Sequence, residues 1–350
     1  MEDNSMVKVL DANTSRLGAL NARVHALKSR MLKPDDFKLI LKLSDLRSLL
    51  RFLGNTSYSS CLPVSEEFST IEFDKKLVNL LIKEINIILN YLNKNDRTVF
   101  IALLNKWKHD SLRTIILSVI NKIPKDIASI LLLPIYPYNT DFLNYVYASS
   151  RSIEDVIHLI PEYRLRSNLL DTFNKYGPSS LFLESTILSY SYNQLFKAIN
   201  NLKGIDKTLV SSIIQLDVDL SNILLILRGI TLKIDPKLLE SILIPSIRKH
   251  YYTPVIEMKS VDMALKILSE FHYSFLADLI GTQMNQIEYF IKKYLIKHIY
   301  RYLYGDTMNL GFPVAYLYIK HFEIMDIRTI ILGVLADIPI NEIINYLIIQ

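Results

Sequence analysis

One cysteine, Cys61, stands in 350 residues. A single thiol excludes an internal disulfide framework and a cysteine-based zinc site. Glycine (9) and proline (12) are also scarce, which leaves little material for tight turns and favours long helices over many short strands. No long uncharged apolar run occurs. The nearest stretch, 127–140, is short and carries Pro134 and Pro137, whereas a membrane-crossing helix needs about 20 apolar residues. Met1-Glu2-Asp3-Asn4 opens the chain on acidic residues, with no signal-peptide apolar core behind it. These absences predict a cytoplasmic chain with no transmembrane helix.

Signatures of catalysis are missing too. The sequence contains no GxxxxGK[ST], GxGxxG or GxSxG, so neither a phosphate-cradling loop nor a nucleophile elbow is expected. His25, His109, His158, His250, His272, His298 and His321 form no HExxH pair and read as surface or core imidazoles. The net charge of +5 is mild and diffuse, and no RNA- or DNA-binding motif accompanies it. The expectation is no catalytic residue, no cofactor, no metal and no nucleic-acid partner.

What is present is a phrase that recurs. Arg113-Thr114-Ile115-Ile116-Leu117 with Ile123-Pro124 returns as Arg328-Thr329-Ile330-Ile331-Leu332 with Ile338-Pro339, and a weaker copy runs from Ile223 to Pro236. Other landmarks agree. Ser44, Ser152 and Ser260 are each 108 residues apart and precede helical patterns; Glu72, Glu184 and Glu288, and Ser118, Gly229 and Gly333, recur at similar offsets. Leu39, Leu43, Leu46, Leu50 and Leu53 recur at helical spacings of three and four. The pattern predicts an all-α chain with a lead-in at 1–21 and three helical units of about 108 residues, near 22–130, 131–241 and 242–350. In each, a long helix (Leu112–Lys122, Ile223–Lys233, Ile327–Asp337) meets Pro124, Pro236 or Pro339, which suits the first turn of a second short helix. Asp126, Glu240 and Glu342 are expected in or near that turn, favourable to the helix dipole.

Arg113 and Arg328 align with each other, while Arg228 lies four residues, one helical turn, out of register. Two readings stand: internal ion pairs to Glu72, Glu184 or Glu288, or three guanidiniums facing an acidic partner. The segment Tyr289–Tyr304 reads as an amphipathic helix, with Ile291, Leu295, Ile299, Tyr302 and Leu303 on one face and a basic stripe of Lys293, Lys297 and Arg301 on the other. That stripe is a solvated face or a contact for anionic lipid head groups or an acidic protein partner.

The termini carry a resemblance. Asn21-Ala22-Arg23-Val24-His25-Ala26-Leu27 with Thr56-Ser57-Tyr58, Asn222-Ile223 with Leu227-Arg228-Gly229, and Pro313-Val314-Ala315-Tyr316-Leu317 with Glu323 and Ile327-Arg328-Thr329 together resemble the C subunit of the archaeal A-type ATP synthase, the counterpart of the d subunit of the V-type ATPase. Departures are His321 where that family usually has an acid, Asp326 where it prefers Asn, and Val334 in place of a common basic residue. The resemblance implies a non-catalytic rotor adapter with pseudo-threefold, funnel-like symmetry, present in one copy per complex. It would lie peripherally on the cytoplasmic face of the cell membrane, between the proteolipid rotor ring and the central stalk subunits. The alternative from the repeat alone is a soluble α-helical scaffold for unrelated partners.

Overall fold

The computed structural model describes residues 17–43, 45–63, 68–271 and 273–349. Ser44, His272 and residues 1–16 of the lead-in lie outside them; helix already runs at residue 17. Among the described residues the chain is all-helical, and the only β contact is an isolated bridge between Ile135 and Tyr138. In chain order the helices are α1 (17–28), α2 (Pro34–Ile40), α3 (Leu46–Gly54), α4 (Thr70–Leu89), α5 (Lys94–Ile120), α6 (Lys125–Leu131), α7 (Thr140–Ser149), α8 (Ile153–His158) and α9 (Tyr163–Tyr176). They continue with α10 (Ser180–Ile199), α11 (Gly204–Thr231), α12 (Pro236–Ser241), α13 (Thr253–Ile256), α14 (Val261–Phe271), α15 (Met284–Ile299), α16 (Arg301–Tyr304), α17 (Gly311–Leu335) and α18 (Ile340–Ile344).

The residues gather into two compact units. Unit 1 takes the described residues up to Phe100, Ala198–Ile213, and those from Tyr289 onward; unit 2 takes Ile101–Lys197 and Ile214–Glu288. Unit 1 is centred on α17, where 19 of 25 residues are buried, as expected of a helix apolar on nearly every side. Unit 2 packs Leu112, Ile115 and Ile116 of α5 with Leu143, Val156, Leu165 and Leu183.

The same local arrangement recurs at the ends of α5, α11 and α17. Lys122, Lys233 and Asp337 all take positive φ, at 53°, 55° and 52°. Around them the amides of Ile123, Ile234 and Ile338 bond the carbonyls of Ser118, Gly229 and Gly333, each at 2.9 Å. The N–H of each left-handed residue bonds the carbonyl three back. These are Schellman caps, so each long helix stops two residues short of its expected end. Ten residues past Ser118, Gly229 and Gly333 come Ala128, Leu239 and Ile343, all buried. Glycine is required where the facing residue is large: a Cβ on Gly229 or Gly333 would sit 2.4 Å from the Leu239 or Ile343 side chain. Where serine stands in place of glycine, the buried residue ten positions on is alanine.

A second relation spans 22 residues. The Ser111 hydroxyl donates to the Leu133 carbonyl at 2.6 Å. Asn222 donates to the Ile244 carbonyl and accepts from its N–H, both at 2.8 Å. Asp326 accepts from the N–H groups of Ile348 and Ile349, at 2.9 and 2.7 Å. Ser111, Asn222 and Asp326 are all buried, and each satisfies backbone that has left the helix.

Several local expectations need correction. Pro236 is the first residue of its helix, but Pro124 and Pro339 are N-caps, one position earlier. Asp126 and Glu342 fall in first turns, whereas Glu240 does not; there the Asp235 side chain caps the helix by accepting from the amides of Lys237 and Leu238. Of the leucines from 39 to 53, Leu39 lies on α2, Leu43 in the connection after it, and Leu46, Leu49, Leu50 and Leu53 on α3; Leu49 and Leu53 are buried, while Leu39 is exposed. The segment 289–304 is likewise divided, at Tyr300. Helix α11 is long and apolar enough to cross a membrane by length and composition, yet 61% of its most apolar window is buried inside the protein. Its Asp217, Asp219 and Asn222 are buried as well. It is a core helix.

Candidate functional site

The repeat arginines are where charge meets the core. In unit 2, Arg113 on α5 reaches Glu184 on α10 at 3.0 Å. Arg228 on α11 grips the same carboxylate at 2.6 and 2.7 Å and extends its other nitrogen to Glu288 on α15 at 2.5 Å. Glu184 is buried; both arginines keep about a quarter of their side-chain surface exposed. Burial alone would lower the Arg113 pKa, but Glu184, backed by Asp110 and Glu288, raises it. Arg228 is governed in the same way: burial lowers, and Glu184 and Glu288 override. Beside this chain of charges lies a cleft of about 290 Å³ walled by Leu117, Leu181, Leu232 and Met284.

In unit 1, Arg328 on α17 forms a two-pronged pair with Asp74 on α4, Nε to Oδ1 at 2.6 Å and Nη2 to Oδ2 at 2.8 Å. The fork geometry is the strong form of this interaction. Its acid is therefore Asp74, two residues beyond Glu72, which instead pairs with Lys76 at 3.0 Å. Two turns earlier on α17, Lys320 is buried yet donates to the Tyr58 hydroxyl at 2.8 Å and to Glu323 at 2.9 Å. Glu323 also accepts from Tyr58 and from the Leu32 amide. Burial, then the Glu323 charge, push the Tyr58 phenol up. Glu84 takes the Tyr316 hydroxyl at 2.7 Å; burial raises its pKa against the opposing pull of Lys320 and Tyr316. Sequence reading found Tyr58 and Glu323 as motif residues but not their partner Lys320, whose signal was a lone lysine within an apolar run.

A larger cleft, about 750 Å³ in unit 2, is walled by hydroxyl and amide groups with Arg164 and Lys197 among them. Near it His109 is buried between Ser191, at 2.8 Å from Nδ1, and Glu162, at 3.0 Å from Nε2. This resembles an activated-serine arrangement, but Ser191 also lies 2.8 Å from the Ile187 carbonyl. A carbonyl only accepts, so the Ser191 proton points there and His109 donates to the hydroxyl. Glu162 is raised by burial but held lower overall by its hydrogen bond and charge interaction with His109. The trio is a polar brace with no activated nucleophile. Among the described residues no three histidines, cysteines or carboxylates cluster as a metal would need.

The basic stripe lies on unit 1. Ile291, Leu295, Ile299 and Leu303 are buried and Tyr302 partly so, while Lys297 and Arg301 are exposed and Lys293 half-exposed. The stripe survives the break because Tyr300 keeps helical backbone angles.

Residues 20–346 match the model of a family described as ATP synthase (C/AC39) subunit. The chain is 22% identical over 322 residues to the C subunit of the A-type ATP synthase of Thermococcus kodakarensis, covering 89% of this chain and 84% of that one. It is 21% identical over 321 residues to the corresponding protein of Pyrococcus horikoshii, with the same coverage. With that of Archaeoglobus fulgidus it shares 19% over 343 residues, 96% of this chain and 97% of the other.

Proposed function

Because the chain belongs to the ATP synthase (C/AC39) subunit family, we propose that it is the non-catalytic rotor adapter of an A-type complex, coupling a proteolipid ring to the central stalk. The carrying observation is the match over residues 20–346, with relatives named as the C subunit of A-type ATP synthases aligned over most of their own length. The ATP chemistry belongs to other subunits. The adapter carries torque between ring and stalk, peripherally, on the cytoplasmic face of the membrane and as one copy per complex. Three units near 22–130, 131–241 and 242–350 derive from one ancestral unit. Support comes from the three Schellman caps, the Gly–Leu and Gly–Ile pairs at the same ten-residue offset, and the three polar clamps at one spacing.

Such a part must resist shear, and buried charged pairs and close-packed helices deform little. Arg113, Arg228 and Arg328 then serve the adapter by locking helices to each other, while any partner contact falls to the partly exposed edges of Arg113 and Arg228. The test is purification of the tagged chain from native membranes with cross-linking mass spectrometry. Recovery with proteolipid and stalk subunits at one copy per complex is expected. Recovery as a monomer, never with ring or stalk, overturns the reading.

A further inference from the structure

The helix face of unit 1 that follows the basic stripe has a composition the core does not explain. Between Tyr289 and Tyr304 stand Lys292, Lys293, Lys297 and Arg301 with no aspartate or glutamate, interleaved with five tyrosines and Phe290. Phe290, Lys293, Lys297, Arg301 and Tyr304 follow one another at spacings of three, four, four and three, a single stripe on a helix. The rings at its two ends are exposed, Phe290 by 45% and Tyr304 by 74%. Each carries a cation on its face: Lys293 Nζ lies 5.8 Å from the Phe290 ring centre and Lys28 Nζ 4.0 Å from that of Tyr304. Lys28 comes from α1, and its Nζ also donates to the Leu303 carbonyl at 2.7 Å. A second helix thus adds a positive charge at the end of the stripe. The acids that flank the segment are engaged elsewhere. Glu288 accepts from Arg228, and Asp306 turns to accept from the Met308 amide.

We propose that this face docks on anionic phospholipid head groups. The charge is positive, exposed at Lys297 and Arg301 and half-exposed at Lys28 and Lys293, as a surface of lipid phosphates requires, and the flanking rings have the apolar body and polar or cation-bearing tip that suit a membrane interface. A carboxylate at a fixed place on a protein partner is best matched by the planar fork of arginine, whereas lysine is a mobile point charge. Of the four cations along the stripe, Lys28, Lys293 and Lys297 are lysines. Arg301 makes no ion pair among the described residues and uses Nε on the His298 carbonyl, 3.3 Å away, so its terminal nitrogens point elsewhere. The lipid contact stands apart from the adapter reading: the purified chain binds vesicles whether or not it binds a ring.

The experiment is co-sedimentation of the purified full-length chain with vesicles of phosphatidylcholine containing about 30% phosphatidylglycerol, beside vesicles of phosphatidylcholine alone. Binding to the anionic vesicles only is expected, falling as salt rises because screening acts over about 8 Å at 0.15 M. Each surface cation is worth about fivefold in partitioning, so Lys297→Gln with Arg301→Gln lowers it about 25-fold. Both side chains are exposed, so that double variant keeps the parent melting temperature. Tyr304→Ala weakens binding several-fold at low salt, and Lys197→Gln in unit 2 leaves it unchanged. Absence of sedimentation, equal binding to neutral vesicles, or a double variant that folds and binds like the parent overturns the proposal. So does cross-linking of the stripe to an acidic protein partner in a chain that ignores vesicles.

Discussion

Gly333 lies against Ile343: a Cβ on the glycine would come within 2.4 Å of Cδ1 and 2.6 Å of Cγ1 of that side chain. Ten residues separate the two, across a Schellman cap, and the pair sets how closely α18 lies on α17.

Gly333→Ala should therefore destabilise, although alanine is otherwise about 1 kcal/mol better than glycine inside a helix. Overpacking of a buried contact costs about 1–3 kcal/mol, so the sign of the change decides whether the clash prevails. Gly333→Ser with Ile343→Ala installs the serine and alanine that stand at the matching positions 118 and 128, and should recover part of the loss. A denaturant double-mutant cycle measures the coupling directly.

Arg328 and Asp74 are both buried and joined by two short hydrogen bonds. Arg328→Leu leaves the Asp74 carboxylate uncompensated, a loss of about 3–5 kcal/mol. Adding Asp74→Leu should return most of it. Arg113→Leu is expected to cost less, because Glu184 keeps Arg228. Chemical denaturation of the three variants ranks them.

Asp326 has a pKa raised to about 7, mainly by burial, against the opposing amides of Ile349 and Ile348. An acid whose folded pKa exceeds its unfolded value binds more protons when folded, so its contribution favours the fold at low pH. Stability from this group is greatest below about pH 4, declines as pH rises to about 7, and is flat beyond. Asp326→Asn should remove that component of the slope in melting temperature over this range. An unchanged slope would assign it to other groups.

Lys233 holds φ at 55°, a conformation that costs most side chains about 1 kcal/mol or more and glycine almost nothing. Lys233→Gly should raise the melting temperature slightly. Lys237→Gly, inside the following helix, should lower it. Thermal unfolding of the two variants gives opposite signs if the cap geometry is right.

Much of this architecture was written in the spacing of apolar residues. The three long helices, the proline after each, and the recurrence of Ser118, Gly229 and Gly333 were all legible, because periodicity and helix breakers act over a few residues. What escaped were relations made by packing. Asp74 and Glu72 lie two apart, and only the direction each side chain takes from α4 decides which reaches Arg328. The clamp residues Ser111, Asn222 and Asp326 differ in chemistry, so no repeated letter marks them, although each stands seven residues before a member of the Ser118, Gly229, Gly333 series. In all three copies the next helix is capped two residues past the left-handed residue, at Pro124, Asp235 and Pro339, so Pro236, one position later, is the first helical residue while the other two prolines are caps. Among the candidate interface residues, the exposure of Lys297 and Arg301 could be read from a helical wheel. The ring of Tyr304 beneath Lys28 could not, since the two are 276 positions apart.

The clamps also act as rulers. Ser111, Asn222 and Asp326 each reach backbone 22 residues downstream, while the distances between them along the chain are 111 and 104 residues. Seven residues have thus been gained or lost somewhere between clamps and none within one. Length is free in the stretches that link one clamp to the next and fixed in the stretch each clamp closes. A single-residue deletion between Gly229 and Ile244 would pull the Ile244 amide out of reach of Asn222, whereas the same deletion between Ile244 and Asp326 leaves every clamp its full span.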